Sequence, residues 1–442
     1  MERGTMEGLQ KSNFKTSICK YMKVFKFGGA SVKDAEGVKN AATIIEKQLD
    51  GRLVVVVSAM GKTTNALEKL LQLHLSRDEA VFKQLEEIKS YHFGVCNDLF
   101  VNKNNPVFQE LHNTFVEAEW QIEDEPIGTK GFEYDQLIGL GELLSTRIVS
   151  AYLDSKEIEN VWVDARDVVR TDNRYQSAKV DWEETEKLIQ ERFSNLSERI
   201  AITQGFIGSS SENFTTTLGR EGSDFSAAIF ASSLNATEVV IWKDVEGMLN
   251  ADPKHYQSTV KLENISYKEA VELAYYGASV IHPKTVKPLE NKQIPLHVKS
   301  FKNPTASGSL INGDSSRDRD IPSYIHKENQ ILVSFSSRDF DFIDEHKLAE
   351  IFELFSNIGL SVNILQNSAI SFTVVFDNDP SKIDELRKLV SQKYKVTYNE
   401  GATLITIRHF TDQIITDLLK DRLVLLEQRT RSTARFVLAE VL

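Results

Sequence analysis

The sequence predicts an α/β domain followed by a smaller α+β region. In the first part, short apolar runs rich in β-branched residues alternate with helical segments, and the clearest run is residues 53–57 (Leu-Val-Val-Val-Val). Such runs are typical of strands buried on both faces of a parallel sheet. Residues 303–322 are rich in Ser, Gly, Asn, Pro and charge, and the strands and helices after them follow the order βαββαβ. That order is the pattern of a small ferredoxin-like module.

Length, charge and cysteine content indicate the class of protein. The chain has 442 residues, enough for about three domains of ordinary size. Its net charge of −12 argues against nucleic-acid binding, because no excess of Lys and Arg is present to neutralise phosphates. Cys19 and Cys96 have no metal-binding or redox spacing. No apolar run approaches the ~20 residues of a membrane-spanning helix, and residues 1–21 lack a signal-peptide core, so we expect a cytoplasmic protein without a membrane partner.

The elements of the α/β part follow from apolar periodicity. The first strand begins at Met22, and residues 36–50 carry apolar side chains at helical spacing. Polar loops separate each later strand from the next helix. Further strands are predicted at 53–57, 161–164, 199–203, 238–242 and 294–300, and further helices at 66–75, 79–123, 135–151, 181–194, 225–233 and 266–274.

The C-terminal region contains one complete βαββαβ cycle and a shorter second cycle. The predicted elements of the first are 331–335, 345–357, 360–366, 369–376, 381–391 and 395–399, and those of the second are 402–408, 411–419, 423–429 and 433–440. The second cycle lacks a closing helix and strand. It is therefore either truncated or shares strands with the first.

These patterns predict the domain organisation. Residues 1–21 are polar and without periodicity, so we expect a disordered extension there. The remaining predicted segments are an α/β domain at 22–305, a linker at 306–328, and two modules at 329–400 and 401–442.

An anion-binding turn is predicted where the first strand ends. The strand carries Lys26 and continues directly into Gly28, Gly29 and Ser31. Glycines at a strand exit allow backbone N–H groups to approach an anion closely, and a helix start just beyond adds the positive end of its dipole. The same pattern also fits an ordinary turn. The residues at the other strand exits are therefore needed to distinguish an anion-binding turn from an ordinary one.

Other predicted strand exits carry Gly, Ser, Thr or charge as well. They are the segments 58–65, 203–208 and 243–244. Ligands of open α/β sheets bind outside the carboxyl ends of the strands. Residues 61–63 (Gly-Lys-Thr) resemble the end of a P-loop, but Val56 stands where that motif requires its first glycine. We therefore reject the P-loop interpretation.

Three charged residues are further candidates. Arg220 and Asp224 lie in a stretch with hydroxyls and two glycines immediately before a helix, and Arg220 can grip a carboxylate or phosphate through two hydrogen bonds. Asp224 is either a helix cap or a partner that orients the Lys26 ammonium. Glu142 is flanked by Gly141 and two leucines, which indicates partial burial rather than a solvated helix face.

The order of these segments resembles one enzyme family. The segments are 26–32 (Lys-Phe-Gly-Gly-Ala-Ser-Val), 141–146, 203–208, 216–224, 241–247 with 251–253, and 276–283. Together they resemble a monofunctional aspartokinase over residues 22–442. The resemblance implies a three-layer αβα amino-acid-kinase (carbamate-kinase-like) domain with a mainly parallel sheet, followed by two ferredoxin-like ACT modules.

The resemblance also implies a reaction and a set of site residues. ATP and L-aspartate would give 4-phospho-L-aspartate and ADP, with Mg²⁺ as the accompanying ion and no protein residue predicted to ligate a metal. The implied catalytic residues are Lys26, Arg220 and Asp224; the implied aspartate-binding residues are Ser58, Thr64, Glu142, Arg220, Gly222 and Ser223; the implied nucleotide-binding residues are Lys26, Gly28, Gly29, Ser31, Lys243, Asp244, Leu249, Lys254 and Ser279.

Some positions depart from the family pattern. Ala30 and Lys243 stand where Thr is usual, Leu249 replaces a common Tyr, and Ser279 replaces a Lys that usually reaches the nucleotide. We hypothesise that Lys243 or Lys284 supplies the missing charge. Two alternatives remain: a glutamate 5-kinase or acetylglutamate kinase on the same fold, and an amino-acid-sensing pseudokinase.

The ACT-like modules imply regulation and self-association. The C-terminal modules resemble ACT modules, which sense amino acids and pair across subunits. The resemblance therefore implies feedback by lysine or threonine and a homodimer or larger homo-oligomer. The expected effector pocket lies between helix 345–357 and strand 360–366, near Asp344, Val362, Asn363 and Ser368. Ala369 stands where an acidic residue is common, which leaves the identity of the effector open.

Overall fold

The chain folds into two compact units. The computed structural model describes residues 21–278, 281–338, 341–391 and 393–439. Unit 1 comprises the described residues up to Met248 together with 261–271 and 281–315, and unit 2 comprises 249–260, 272–278 and the described residues from Ser316 onward. The predicted extension, apart from Tyr21, lies outside the described residues. The predicted domain boundaries remain a prediction.

The strands of unit 1 form one large sheet and a small hairpin. They are β1 (Met22–Phe27), β2 (Arg52–Val57), β3 (Val161–Val163), β4 (Ile200–Gln204), β5 (Ile207–Ser209), β6 (Thr215–Thr217), β7 (Glu238–Lys243), β8 (Asn264–Ser266), β9 (Leu296–Ser300) and β10 (Ser309–Asn312). The large sheet has the order β3-β4-β2-β1-β7-β9-β10-β8, and β5 pairs with β6. Within the large sheet only β9 and β10 run antiparallel, so the mainly parallel sheet that the sequence predicts is confirmed.

Helices pack on both faces of this sheet, which gives three layers. They are α1 (Ala35–Lys47), α2 (Thr63–Ser76), α3 (Ala80–Leu99), α4 (Pro106–Glu123), α5 (Lys130–Ile138), α6 (Leu140–Ser155), the short α7 (Ala165–Val168), α8 (Trp182–Ser194), α9 (Gly222–Ser233) and α11 (Pro283–Lys292). The helix α10 (Tyr267–Tyr276) begins in unit 1 and continues into unit 2. One group of helices, α1–α6, packs around α3 and α6, and a second group places α9 against α8 and α11. The strands β1, β2 and β7 between them are buried almost throughout.

The carboxyl ends of the central strands lie side by side. Phe27 at the end of β1 pairs with Val57 of β2 and Trp242 of β7, and Val57 also pairs with Gln204 of β4. The loops that follow these strands therefore begin at one edge of the sheet. This edge is where the sequence predicts a ligand.

One predicted helix of unit 1 is wrong. Residues 135–151 do not form a single helix, because α5 ends and α6 begins around Gly139. A Cβ at Gly139 would lie 3.1 Å from a methyl of Thr215 and 3.2 Å from one of Ile207. The β5–β6 hairpin therefore packs directly against the helix backbone at this point.

Unit 2 contains a single six-stranded antiparallel sheet. Its strands are β11 (Ser323–Ser337), β12 (Ile364–Asn367), β13 (Ser371–Asp377), β14 (Tyr394–Arg408), β15 (Val424–Arg429) and β16 (Thr433–Leu438), and its helices are α12 (Glu345–Ile358), α13 (Pro380–Val390) and α14 (Asp412–Leu419). The strand order is β12-β13-β11-β14-β16-β15. The predicted α+β character of this region is confirmed.

Two long strands of unit 2 replace shorter predicted ones. The prediction of separate strands at 395–399 and 402–408 is wrong, because β14 is continuous across Gly401, which has φ 68°. The predicted strand 331–335 is likewise part of the longer β11. The pairing of β11 with β14 changes register near Asn329, which has φ 50°. The pairing of the two strands is thus irregular close to the residues at which the sequence predicts a strand boundary.

No helix among the described residues is long and apolar enough to cross a membrane.

Candidate active site

A cavity of about 670 Å³ lies in unit 1 at the carboxyl ends of the central strands. Its lining contains three basic and four acidic side chains, so the cavity is strongly polar. The lining residues are Lys26, Ser58, Thr64, Glu68, Tyr134, Glu142, Gln176, Phe206, Gly219, Arg220, Glu221, Gly222, Ser223, Asp224 and Lys243.

An ion cluster of two lysines and one aspartate forms one wall of the cavity. Lys26 at the end of β1 places its Nζ 2.5 Å from Asp224 Oδ1, and Lys243 at the end of β7 places its Nζ 3.3 Å from Asp224 Oδ2. Asp224 lies in the first turn of α9 and is 2% exposed. Burial raises the pKa of Asp224, but the ammonium groups of Lys26 and Lys243 outweigh burial and hold it below its ordinary value. The cluster therefore carries a net positive charge that is fixed in place.

The glycine turn after β1 lies beside the Lys26 ammonium. A Cβ on Gly28 would lie 3.6 Å from Lys26 Nζ, and a Cβ on Gly29 would lie only 2.5 Å from the carbonyl oxygen of Ala59. Position 29 thus has no room for a side chain. Ser31 is buried and donates its hydroxyl to the carbonyl oxygen of Trp242 at 3.3 Å, so in this structure it ties the turn to β7.

Glu142 is a buried carboxyl group in the same cavity. It lies in the first turn of α6, where its Oε1 accepts the Ala59 N–H at 3.2 Å. Its Oε2 is buried and has no hydrogen-bond partner among the described residues. Burial raises the pKa of Glu142 to about 8, although the Ala59 N–H and the Lys26 charge favour the ionised form. A cationic ligand beside Oε2 would satisfy this group.

The predicted aspartate-binding residues lie together in this cavity. Arg220 is exposed and lines it, and Gly222 and Ser223 begin α9 next to Asp224. A Cβ on Gly222 would lie 2.7 Å from the ring of Phe206, so this position also requires glycine. Ser58 follows β2 and Thr64 lies in the first turn of α2, and both line the cavity.

Comparisons with known proteins agree with this arrangement. A model of the amino acid kinase family matches residues 22–300. Lysine-sensitive aspartokinase 3 of Escherichia coli (strain K12) is 31% identical over 392 residues, which cover 87% of this chain and 86% of the relative. The chain belongs to the aspartokinase family. The kinase class predicted from the sequence is therefore confirmed.

Two further comparisons show a likeness over most of the chain. The crystal structure of E. coli aspartokinase III in complex with aspartate and ADP is 28% identical with a TM-score of 0.80, and the match covers 95% of this chain and 96% of that one. The chloroplastic bifunctional aspartokinase/homoserine dehydrogenase 2 of Arabidopsis thaliana is 30% identical over 389 residues. The match covers 42% of the length of that bifunctional relative.

Of the predicted nucleotide-binding residues that the structure describes, Lys26 and Lys243 belong to the cavity lining, whereas Gly28, Gly29 and Ser31 form the turn after β1 and are not part of the lining. Asp244 is exposed in the loop after β7. Leu249 and Lys254 belong to unit 2, and Ser279 lies outside the described residues. Lys284, the alternative source of charge, is exposed at the start of α11 and is absent from the lining, whereas Lys243 belongs to it. The structure thus favours Lys243 for that role.

The sequence prediction missed Glu68 and Glu221 in the cavity lining, and it missed Asp135, which is bonded to the loop of the lining residue Gln176. Glu221 lies inside a motif that was recognised, but the motif gave no reason to choose it. Asp135 is fully buried in α5 and accepts hydrogen bonds from Thr217 N and Oγ1 at 2.8 and 2.7 Å and from Gln176 N at 2.9 Å. Burial raises its pKa to about 6, and these hydrogen bonds act in the opposite direction. Asp135 holds the Gln176 loop against the cavity through contacts too distant in sequence for periodicity to reveal.

The predicted effector residues lie near one another in the chain of unit 2, but they have different roles in the fold. Asp344 caps α12 by accepting the Lys347 N–H at 3.0 Å, and Ser368 forms a tight turn with Ser371. Val362 is partly buried against the apolar core under the sheet. Asn363 joins a polar network, since its amide donates to Gln330 and Asp377 and accepts from Lys327; the three heavy-atom distances are 2.8, 3.0 and 2.9 Å.

One cluster of potential metal ligands occurs among the described residues of unit 2. It consists of His255, His326 and Glu328, whose ligand atoms lie within 4.8 Å of one another. The two imidazole rings stack at 4.1 Å with an interplanar angle of 6°. Because imidazole lone pairs lie in the ring plane, stacked parallel rings do not direct them at a common point. We assign no metal to this cluster.

Proposed function

We propose that the chain transfers the γ-phosphoryl group of ATP to the side-chain carboxylate of L-aspartate, giving 4-phospho-L-aspartate and ADP. The observation that carries this proposal is the Lys26–Asp224–Lys243 ion cluster beside a glycine turn, in one cavity with Glu142 and Arg220. The structural relative that binds aspartate and ADP supports it.

The chemistry requires neutralised charge and correct positioning rather than a base. The attacking carboxylate is already ionised at neutral pH, so no residue has to remove a proton from it. The transferred phosphoryl group is anionic, as is the nucleophile, and positive charge between them lowers the barrier. Lys26 would supply this charge from a fixed position because Asp224 holds its ammonium, and the N–H groups of the Gly28–Gly29 turn would add to it.

Other residues of the cavity lining fit the amino-acid substrate. Arg220 would hold a carboxylate of aspartate through paired hydrogen bonds. Glu142 would accept the α-ammonium group, which would supply the partner that Oε2 lacks and favour ionisation of the carboxyl group. Ser58, Thr64 and Ser223 would complete the hydrogen bonds around the substrate. These roles follow from the chemistry of the groups in the lining.

A divalent cation fits the cavity chemically. Mg²⁺ binds oxygen ligands and normally accompanies the phosphates of the nucleotide, whose charge it neutralises. The lining offers a buried carboxylate oxygen without a hydrogen-bond partner among the described residues, on Glu221. The four acidic side chains exceed the three basic ones, so the chain alone does not neutralise ATP and aspartate.

An assay of ADP production with different acceptors tests the proposal. We expect activity with L-aspartate and at most a small fraction of it with L-glutamate or N-acetylglutamate. Activity that prefers glutamate or acetylglutamate contradicts the assignment of the acceptor. Amino-acid binding without any ADP production favours the pseudokinase instead.

Pathway, regulation and assembly are further parts of the proposal. The product would enter the synthesis of the aspartate-derived amino acids lysine, threonine and methionine. The name of the lysine-sensitive relative supports lysine as feedback effector.

In the sheet of unit 2 the outermost strands β12 and β15 are edges on which a second copy could pair, and Leu365 on β12 is 41% exposed. The cytoplasmic location stays a prediction.

A further inference from the structure

Glu221 is a cavity carboxylate that the proposed reaction assigns neither to aspartate nor to the nucleotide phosphates. It lines the cavity immediately before α9. Its Oε2 is buried and lacks a hydrogen-bond partner among the described residues. An unpaired carboxylate oxygen without access to water is unfavourable unless a cation or a donor meets it. The carboxylate therefore has capacity for a ligand.

The backbone at Glu221 is also in an unfavourable conformation. Its φ of 53° and ψ of 29° are left-handed, a region that glycine adopts freely and other residues adopt at a cost of about 1–2 kcal/mol. Phe206, with φ 70°, lines the same cavity. Strain of this kind occurs often at ligand sites, where the surrounding structure holds it. The left-handed turn presents the Glu221 side chain to the cavity at the start of α9.

Glu221 lines the same cavity as the ion cluster of Lys26, Asp224 and Lys243, and it directly follows Arg220 in the chain. Burial raises the pKa of Glu221, Lys243 is the charged neighbour that most favours its ionised form, and Asp224 disfavours it. Lys243 and Asp224 belong to the ion cluster at the ends of β1 and β7. Glu221 thus lies beside the groups to which we assign the nucleotide phosphates.

The geometry points to Glu221 as an oxygen ligand of the divalent cation that enters with the nucleotide. The cavity has an excess of acidic over basic side chains, and Asp224 is already held by two lysines. Glu221 offers a carboxylate oxygen that has no hydrogen-bond partner in the described part of the chain, and carboxylate oxygen is the ligand type that Mg²⁺ prefers. This inference rests on the proposed function and adds the residue that holds the cation.

The affinity of the full chain for ADP, measured by calorimetry with Mg²⁺ and with EDTA, tests the inference. The informative quantity is the ratio of the two Kd values. In Glu221→Gln we expect ADP without metal to bind equally or more tightly, because a negative charge near the phosphates is removed. We expect the ratio of the Kd with EDTA to the Kd with Mg²⁺ to be at least tenfold smaller in this variant than in the wild type.

Two further variants make the test specific. Glu68→Gln removes the same charge from the same cavity, where Glu68 accepts the Tyr134 hydroxyl at 3.1 Å, and we expect its Kd ratio to stay within twofold of the wild type. Glu221→Gly removes the ligand and also relieves the left-handed strain, so loss of the Mg²⁺ effect in this variant is not a consequence of misfolding.

The outcomes separate the inference from the proposed function. An unchanged Kd ratio in both Glu221 variants overturns the inference, and so does an equal loss of affinity with and without Mg²⁺. A wild-type chain that binds no ADP overturns both. If the wild type binds ADP but forms none from ATP and aspartate, the proposed function fails while the Kd ratio still decides the role of Glu221.

Discussion

Lys26 is the residue on which the proposed chemistry depends most. Replacing it with alanine removes the ammonium that Asp224 holds at 2.5 Å beside the glycine turn. One preorganised charge-stabilising group contributes about 3–4 kcal/mol, so we expect kcat to fall about 100–1,000-fold in Lys26→Ala. Lys23→Ala is the matched control, since Lys23 lies on the same strand but pairs with Asp50 and Glu238. Retention of more than about a tenth of the rate in Lys26→Ala contradicts the assignment.

Lys243 is the second ammonium of the ion cluster, and its contribution is separable from that of Lys26. A charge-assisted hydrogen bond contributes about 1.5–3 kcal/mol, so we expect Lys243→Ala to raise the KM for ATP about tenfold or more. Lys284→Ala serves as control, because Lys284 is exposed outside the cavity lining. If steady-state kinetics show an unchanged KM for ATP in both variants, neither lysine supplies the missing charge.

Glu142 gives the proposed site a pH dependence of known sign. Burial raises its pKa to about 8, so below pH 8 the fraction in the ionised form falls about tenfold for each pH unit. If the ionised form binds the substrate ammonium, kcat/KM for aspartate rises with pH and levels off above pH 8. Glu142→Gln should show low kcat/KM without this rise. A wild-type profile that is flat between pH 6 and pH 8 would falsify the role of Glu142.

Some residues of the site could be predicted from the sequence and others could not. Lys26, Asp224 and Arg220 were predictable because each lies in a local motif of glycine, hydroxyl and charge. Asp135 and Glu221 were not, because their importance comes from burial and contacts across the fold rather than from neighbours in the chain. The apolar neighbours of Glu142 in the chain indicated its burial, whereas Asp135 has no such local signal.

At the scale of elements, the strand exits determine where the site forms. The sequence predicted the central strands well because runs such as residues 53–57 are buried on both faces. The sequence did not predict correctly where a helix breaks or a strand continues because of contacts with other elements. Gly139 lies between two helices where a hairpin packs against it, whereas Gly401 interrupts no strand because β11 pairs with β14 on both sides of it.

The glycine turn after β1 is the element with the least tolerance for change. In Gly29→Ala the new methyl group would lie 2.5 Å from the Ala59 carbonyl oxygen, so the turn or the loop after β2 must move. We expect ADP to bind at least about tenfold more weakly, since a charge-assisted contact of about 1.5–3 kcal/mol is displaced. Gly94→Ala in α3 is the control, because a Cβ there meets nothing within 4 Å. Equal ADP affinity in calorimetry for Gly29→Ala and the wild type would contradict a phosphate-binding turn.

At the scale of the molecule, each unit supports a different kind of function. Unit 1 places its polar cavity at the ends of parallel strands, as an open α/β sheet allows. Unit 2 builds one antiparallel sheet in which β11 and β14 continue through both halves. The short second cycle of the sequence therefore needs no closing strand of its own. Periodicity alone left that choice open, since it does not reveal which strands pair.

Regulation by an amino acid is the property that unit 2 is proposed to add. We expect lysine to inhibit the wild type, and Asn363→Ala to raise the half-inhibitory lysine concentration at least about tenfold, because its amide offers charge-assisted contacts of about 1.5–3 kcal/mol. The strand should stay in place, since Arg435 and Val375 bond the backbone of residue 363. In contrast, Ser381→Ala at the start of α13 should leave both kcat and inhibition unchanged. Assays titrated with lysine, threonine and methionine decide the matter: no response in the wild type removes the regulatory proposal, and an unaltered response in Asn363→Ala moves the effector site elsewhere.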